Sequence, residues 1–207
     1  MELIHGDCLP ELMKMPDKSV DLCLTDPPYG LKIATRGKIG GGGRQFTPKQ
    51  WDSSMPRPEY FYEMRRVAKN LIIWGGNYFT AHLEPSRGWL VWYKNAGLPT
   101  LSFADCEMAW TSFECNARVF NCRHRGFVKD SKETQYPVPT QKALLVMMWC
   151  LQLFSREGDT ILDPFMGSCT TGVACALLRR NFIGIERDKE YYDMARKRAL
   201  LAEQGVL

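Results

Sequence analysis

An aspartate, two prolines and a tyrosine stand in a row at Asp26-Pro27-Pro28-Tyr29, directly after the apolar run Val20 to Thr25. The run predicts a strand that ends at the aspartate, so that a carboxylate and an aromatic ring project from its tip. Proline contributes no N–H, which leaves carbonyl oxygens of this turn free to accept hydrogen bonds from an outside donor. A flat, amino-bearing ring is such a donor. Asp26 and the Pro27 carbonyl can take its two N–H bonds while the Tyr29 ring stacks on its face. An ordinary turn closed by a buried tyrosine would carry the same four residues.

A second constellation lies near the other end of the chain. Asp163-Pro164-Phe165-Met166-Gly167-Ser168-Cys169-Thr170-Thr171-Gly172 follows the short apolar run Thr160 to Leu162 and precedes the helical pattern Val173 to Leu178. It predicts a strand, a tight glycine turn and a helix N-terminus, where free N–H groups face outward and glycine admits a ligand close to the backbone. About 20 residues on, Asn181 to Glu186 reads as a second strand ending in an acid, the spacing at which a ribose hydroxyl pair is held. A plain strand-to-helix connection followed by a helix-capping acid is the competing explanation.

Taken together, these residues resemble the S-adenosylmethionine-dependent amino-methyltransferases of nucleic acids, which carry D-P-P-Y as catalytic motif and F-x-G-x-G as cofactor motif. The catalytic motif comes first here, an order similar to that of the β class of DNA amino-methyltransferases. Gly6-Asp7-Cys8 resembles the family's G-D element for the cofactor adenine, and Pro139-Thr140-Gln141-Lys142 its P-T-Q-K element. Two positions depart from the pattern: Cys169 stands at the second glycine of the cofactor motif, and Val138 where a histidine often opens P-T-Q-K.

The resemblance implies an α/β, single-domain Rossmann-like methyltransferase fold over residues 1–207, a mostly parallel sheet with one antiparallel edge strand and helices on both faces. It implies Asp26, Pro27, Pro28 and Tyr29 as catalytic residues. The cofactor adenine would lie near Asp7 and Cys8, its ribose on Glu186, and its methionine end near Asp163, Phe165 and Gly167. Ser168, Cys169 and Thr170 complete that turn, and Lys142 would pair with the cofactor carboxylate. The expected reaction moves a methyl group from S-adenosylmethionine to the exocyclic amino group of a base flipped out of double-stranded DNA. Aspartate rather than serine at the head of the tetrapeptide favours adenine N6 within the family. Cytosine N4 in DNA remains open, as does a non-catalytic subunit that binds nucleic acid and cofactor. Family members are often homodimers, although no interface can be read here, and a prokaryotic or viral, cytoplasmic protein is expected.

The elements that must position these residues alternate. Strands are predicted at Leu3 to His5, Val20 to Thr25, Leu71 to Trp74, Trp89 to Tyr93, Glu107 to Trp110, Ile161 to Asp163 and Phe182 to Glu186. Helices are predicted at Pro58 to Lys69, Thr140 to Phe154, Thr170 to Arg180 and Lys189 to Glu203, which gives a mostly parallel sheet covered on both faces. Arg179-Arg180 and Arg196-Lys197-Arg198 fall near helix C-termini, where they complement the macrodipole.

Two stretches break the alternation. Gly30 to Tyr60 carries six basic against two acidic residues and Thr111 to Lys129 four against one, so the chain's +4 leaves −3 for the remainder. Positive charge gathered in loops beside the two motifs fits a polyphosphate partner, with Arg36, Lys38, Arg44, Arg118, Arg123 and Arg125 as candidate nucleic-acid contacts. The four glycines Gly40 to Gly43 make a mobile loop over 30–57 the expectation, with Phe46 or Trp51 brought near the site, although Trp51 could equally anchor the core. Residues 111–130 are the candidate recognition insertion, with an edge hairpin.

With 207 residues, 45% of them hydrophobic, the chain can bury a core without metal or disulfide staples. Its eight cysteines include no C-x-x-C pair, and Cys115, Cys122 and His124 fit no common zinc spacing, so reduced thiols and no metal are expected. No signal peptide and no uncharged run of membrane-spanning length is visible, which predicts a soluble protein.

Overall fold

The computed structural model describes all residues except 37–46, 96, 98–103, 126–127, 131–133, 135, 137, 139 and 207, and all their side chains except those of 36, 125 and 128. Lys38, Arg44, Phe46, the glycine run and Pro139 therefore lie outside the described residues, as do the side chains of Arg36 and Arg125. The chain runs β1 (Glu2–His5), α1 (Cys8–Lys14), β2 (Val20–Thr25), α2 (Pro58–Val67), β3 (Ala68–Trp74), β4 (Trp89–Tyr93), β5 (Cys106–Thr111) and β6 (Arg118–Asn121). It continues through β7 (His124–Arg125), β8 (Val128–Lys129), α3 (Leu144–Phe154), β9 (Thr160–Asp163), α4 (Thr170–Leu177), β10 (Asn181–Glu186) and α5 (Lys189–Glu203).

Eight strands form one sheet in the order β1-β10-β9-β2-β3-β5-β4-β6. Strands as apolar as β2 and β3 can only lie in a sheet covered on both faces, and the alternation of their side chains shows it. Leu22, Leu24, Ile72 and Trp74 pack on one side with Val146, Met147 and Ala174 of α3 and α4. Cys23, Leu71 and Ile73 pack on the other with Leu12, Phe61 and Met64 of α1 and α2.

The α/β class and the single strand running against the rest are as the sequence predicts, but that strand is not at the margin. β5 pairs antiparallel with both β3 and β4, and β6 then adds parallel to β4 at the edge. The 111–130 segment supplies that edge strand and the small β7-β8 hairpin.

The seven predicted strands form within three residues of their predicted ends, and α2, α4 and α5 start where expected. Helix α3 begins at Leu144 rather than Thr140, because Ala143 is still extended at ψ 133°. Helix α1, too short to show a period, was not predicted; Asp7 caps it by accepting from the Leu9 N–H.

Strand β2 lies beside β9, with Cys23 opposite Leu162. From this pair the chain leaves in opposite directions, β2 towards β3 and β9 towards β10. That is a topological switch point, the place in an open α/β sheet where the carboxyl ends of the strands frame a crevice. Both motifs sit at those ends. Among the described residues, no helix is long and apolar enough to cross a membrane.

Candidate active site

At the tip of β2, Asp26 Oδ1 accepts from the Tyr29 hydroxyl at 2.6 Å and Oδ2 from Lys142 Nζ at 2.5 Å, while Lys142 also donates to the Tyr29 oxygen at 3.2 Å. Tyr29 is held on its other sides as well. Its ring stacks on Tyr78 at 4.9 Å and meets Phe79 edge-on at 5.9 Å. Gly75 leaves the room for this: its φ is +71°, and a Cβ there would lie 2.1 Å from Tyr29 Cε1. Tyr29 was expected to offer its face to a base, and Tyr78 now covers one of its two faces.

At the tip of β9, Asp163 is 3% exposed and accepts from Thr25 Oγ1 at 2.7 Å, Thr171 Oγ1 at 2.6 Å and the Phe165 N–H at 3.2 Å. Burial pushes its carboxyl up to about 6, against the pull of those hydrogen bonds and with a further push from the Asp26 charge. The Thr25 bond joins the two motif-bearing strands directly.

The glycine turn is built as the sequence predicts. Gly167 takes φ +48°, and a Cβ there would meet nothing nearer than the Phe165 carbonyl at 4.0 Å. Its N–H donates to Glu186 Oε2 at 3.0 Å, and Glu186 Oε1 accepts from the Asp188 N–H at 2.7 Å. Burial raises the Glu186 carboxyl above its ordinary range.

Cys169, at the second glycine position, still adopts the left-handed conformation with φ 63° and ψ 32°. The strain of such a residue is about 1–2 kcal/mol. The thiol is buried against Gly172, where a Cβ would come within 2.4 Å of Sγ, so Gly172 makes the room for a side chain at this position.

All the residues expected at the catalytic and cofactor sites border one cavity of about 300 Å³, except Pro27, Tyr29 and Cys169. Asp7, Cys8, Asp26 and Lys142 all line it, and Trp51 and Val138 contribute to the wall. The two ends of the 30–57 loop are anchored: buried Asp52 accepts from the N–H groups of Gly30, Leu31 and Ile33, and Lys49 pairs with Asp188 at 2.8 Å.

Lys142 also has partners within the protein. Its ammonium is turned to Asp26 and, at 2.9 Å, to Glu107 Oε2, so that two carboxylates hold it at short range. Burial disfavours the ammonium, but Asp26 and Glu107 overcome it and raise the lysine above its ordinary range.

Arg198 likewise is no solvent-facing complement to a helix end. It is 2% exposed, and its guanidinium donates to the Ser168 carbonyl at 3.0 Å and to Thr170 Oγ1 at 3.0 Å, bracing the glycine turn. The sequence offered one signal for these missed residues, a lone acid inside the apolar strand Cys106 to Thr111; Arg198, lodged in a basic triplet, offered none.

Of the candidate nucleic-acid contacts, Arg118 is exposed at the start of the edge strand β6, whereas the Arg123 guanidinium is taken by Asp130 Oδ1 at 2.8 Å. Among the described residues no group of three or more His, Cys, Asp or Glu side chains is arranged to hold a metal ion.

A carboxylate and a glycine turn on neighbouring strand ends, at the switch point of a mostly parallel sheet, place the chain among Rossmann-like α/β proteins. The chain belongs to the N6/N4 methyltransferase family, described as DNA methylase, whose model matches residues 84–197. It is 30% identical over 241 residues to the Type II methyltransferase M2.DpnII of Streptococcus pneumoniae, covering 96% of this chain and 89% of that one. To the Type II methyltransferase M.HinfI of Haemophilus influenzae it is 28% identical over 245 residues, covering 95% and 67%. The crystal structure of an M1.HpyAVI–SAM complex superposes with a TM-score of 0.62 at 25% identity, covering 95% of this chain and 98% of that one.

Proposed function

We propose that this chain transfers a methyl group from S-adenosylmethionine to N6 of adenine in double-stranded DNA, with the target base turned out of the stack. The observation that carries the reading is a shared cavity: Asp26 at the tip of β2 and Asp163, Phe165, Gly167 and Glu186 around β9 and β10 border the same space. The residues fit the cofactor. Glu186 offers a carboxylate for ribose hydroxyls, and the open space over Gly167 admits a group against the backbone. Bound there, S-adenosylmethionine would supply an electrophilic methyl group on sulfur.

The protein's own part follows from what a ring amino group lacks. Its lone pair is delocalised into the ring, so the nitrogen must be polarised and aligned before it can attack. Each Asp26 oxygen has a second lone pair beyond those used by Tyr29 and Lys142, and one of these accepts an N–H of the base. The other is assigned to the Pro27 carbonyl, in the turn between Asp26 and Pro28, both of which border the cavity. Both acceptors then stabilise the positive charge that grows on nitrogen as the N–C bond forms and the C–S bond breaks, the pair staying on sulfur. The proton passes to Asp26 and on to water. Burial raises Asp26 above the ordinary aspartate range, Lys142 lowers it and Glu107 raises it again, which makes the carboxylate a better proton acceptor than a solvated one.

The described strands other than β7 and β8 all join one sheet, which supports one methyltransferase domain over 1–207 with 111–130 as its recognition segment. A DNA substrate implies action inside the cell. Assembly as a homodimer belongs to the same reading, and sedimentation with and without DNA tests it.

Incubation with methyl-labelled S-adenosylmethionine and unmodified DNA, followed by digestion to nucleosides, should give label in N6-methyldeoxyadenosine only. Asp26→Ala should lower the rate by about 10²-fold or more. Label in N4-methyldeoxycytidine would move the target to cytosine, and cofactor binding without transfer would leave a non-catalytic subunit.

A further inference from the structure

Behind the catalytic tetrapeptide, four charged side chains are linked in series, and two of them belong to no motif. Lys142 Nζ lies 2.5 Å from Asp26 Oδ2 and 2.9 Å from Glu107 Oε2, and Glu107 Oε1 accepts from Lys94 Nζ at 2.9 Å. Glu107 is there because β5 runs antiparallel between β3 and β4, which sets it across from Trp92, two residues before Lys94. Glu107 Oε2 receives no aligned hydrogen bond and faces the ammonium as a charge.

The difficulty this solves is electrostatic. A carboxylate paired with an ammonium at 2.5 Å has no net charge to offer a cation growing on the amino group. Adding Glu107 to Asp26 and Lys142 returns the sum to −1. Lys94 sits on the far side of Glu107, where its effect on the reacting nitrogen is weaker by distance. We propose that Glu107 is a positioning residue for methyl transfer: it anchors the Lys142 ammonium and offsets its charge, so that Asp26 meets the amino group as an uncompensated carboxylate.

This rests on the transfer reaction proposed above and adds a residue outside the motifs to it. Lys142 and Lys94 overcome the effect of burial and hold Glu107 down to about 2, so it stays ionised wherever the enzyme is folded and working. The groups facing Asp26 are Tyr29 from its own turn, Lys142 from the segment before α3, Glu107 from β5 and Asp163 from β9. Removing the Glu107 charge lowers the Asp26 pKa and weakens its hold on a cation, so rate and pH profile move together.

The test is single-turnover methyl transfer at saturating DNA and S-adenosylmethionine from pH 5 to 8.5, with cofactor affinity measured by calorimetry. Glu107→Gln should lower the rate about tenfold or more, move the acid limb to lower pH and leave cofactor affinity unchanged. The double variant Glu107→Gln/Lys142→Met should be faster than Glu107→Gln alone, because the charge that Glu107 offset is gone. Lys94→Met, which leaves the pair at Asp26 in place, should move the acid limb the other way, to higher pH, and serves if Glu107→Gln fails to fold. An unchanged rate and acid limb in Glu107→Gln, or a loss of rate with neither the shift nor the recovery in the double variant, overturns the proposal. A wild type that transfers no methyl overturns the underlying reading, and this one with it.

Discussion

Asp163 ties the two halves of the site together at the cost of burying a carboxylate among hydroxyls. Its folded pKa of about 6 lies above the value of an unfolded aspartate, about 3.9. The folded state therefore holds the proton more tightly. The stability gained from that proton is fully present below about pH 3.9 and is lost as pH rises through about 6. Asp163→Asn carries no such charge. Its melting temperature relative to wild type should therefore become more favourable between pH 5 and 7.5, by the equivalent of about 1 kcal/mol, and parallel melts at the two pH values check it. The neighbouring Cys169 shows how a residue outside the motif is accommodated, since its thiol occupies the space that Gly172 leaves.

At the scale of elements, the site depends on where regular structure stops. Because α3 starts at Leu144, the segment from Gln141 to Ala143 stays extended, and Lys142 crosses to the tip of β2 instead of riding on a helix face. On the other side, β3 ends in Gly75 and a short 3-10 turn whose Tyr78 and Phe79 hold the Tyr29 ring. Gly75→Ala places a methyl group into that ring at a positive φ. It should destabilise the fold by about 1–3 kcal/mol and slow transfer, read by denaturant unfolding and by the nucleoside assay. The loop after Tyr29 is fastened in the same way, through Asp52. Asp52→Ala frees three N–H groups and should lower stability by about 1–3 kcal/mol while weakening cofactor binding, since Trp51 and Met55 border the cavity.

For the whole molecule, the balance of charge is modest at +4, so the proposed DNA binding would rest on a few exposed basic side chains. Of the candidates, Arg118 on the sheet edge is exposed, while Arg123 is engaged by Asp130. Arg118→Ala should weaken DNA binding across sequences and reduce the slope of log K against log salt by about one, with cofactor affinity unchanged; titrations at several salt concentrations measure both.

Local structure was legible from the chain alone wherever it depends on neighbours in sequence. Asp26 to Tyr29 and Asp163 to Thr170 each form a turn whose shape is set by proline, by glycine and by the strand before it, and strand limits follow from apolar runs. Contacts between segments were not legible: nothing local in Lys142 or Arg198 distinguishes a buried, paired charge from a solvated one, and the lone acid in β5 marks Glu107 without naming its partners. The sheet order decided those. By placing β2 against β9 and running β5 in reverse, tertiary structure set Lys142 between two carboxylates and Arg198 under the cofactor turn, where low exposure makes a partner obligatory.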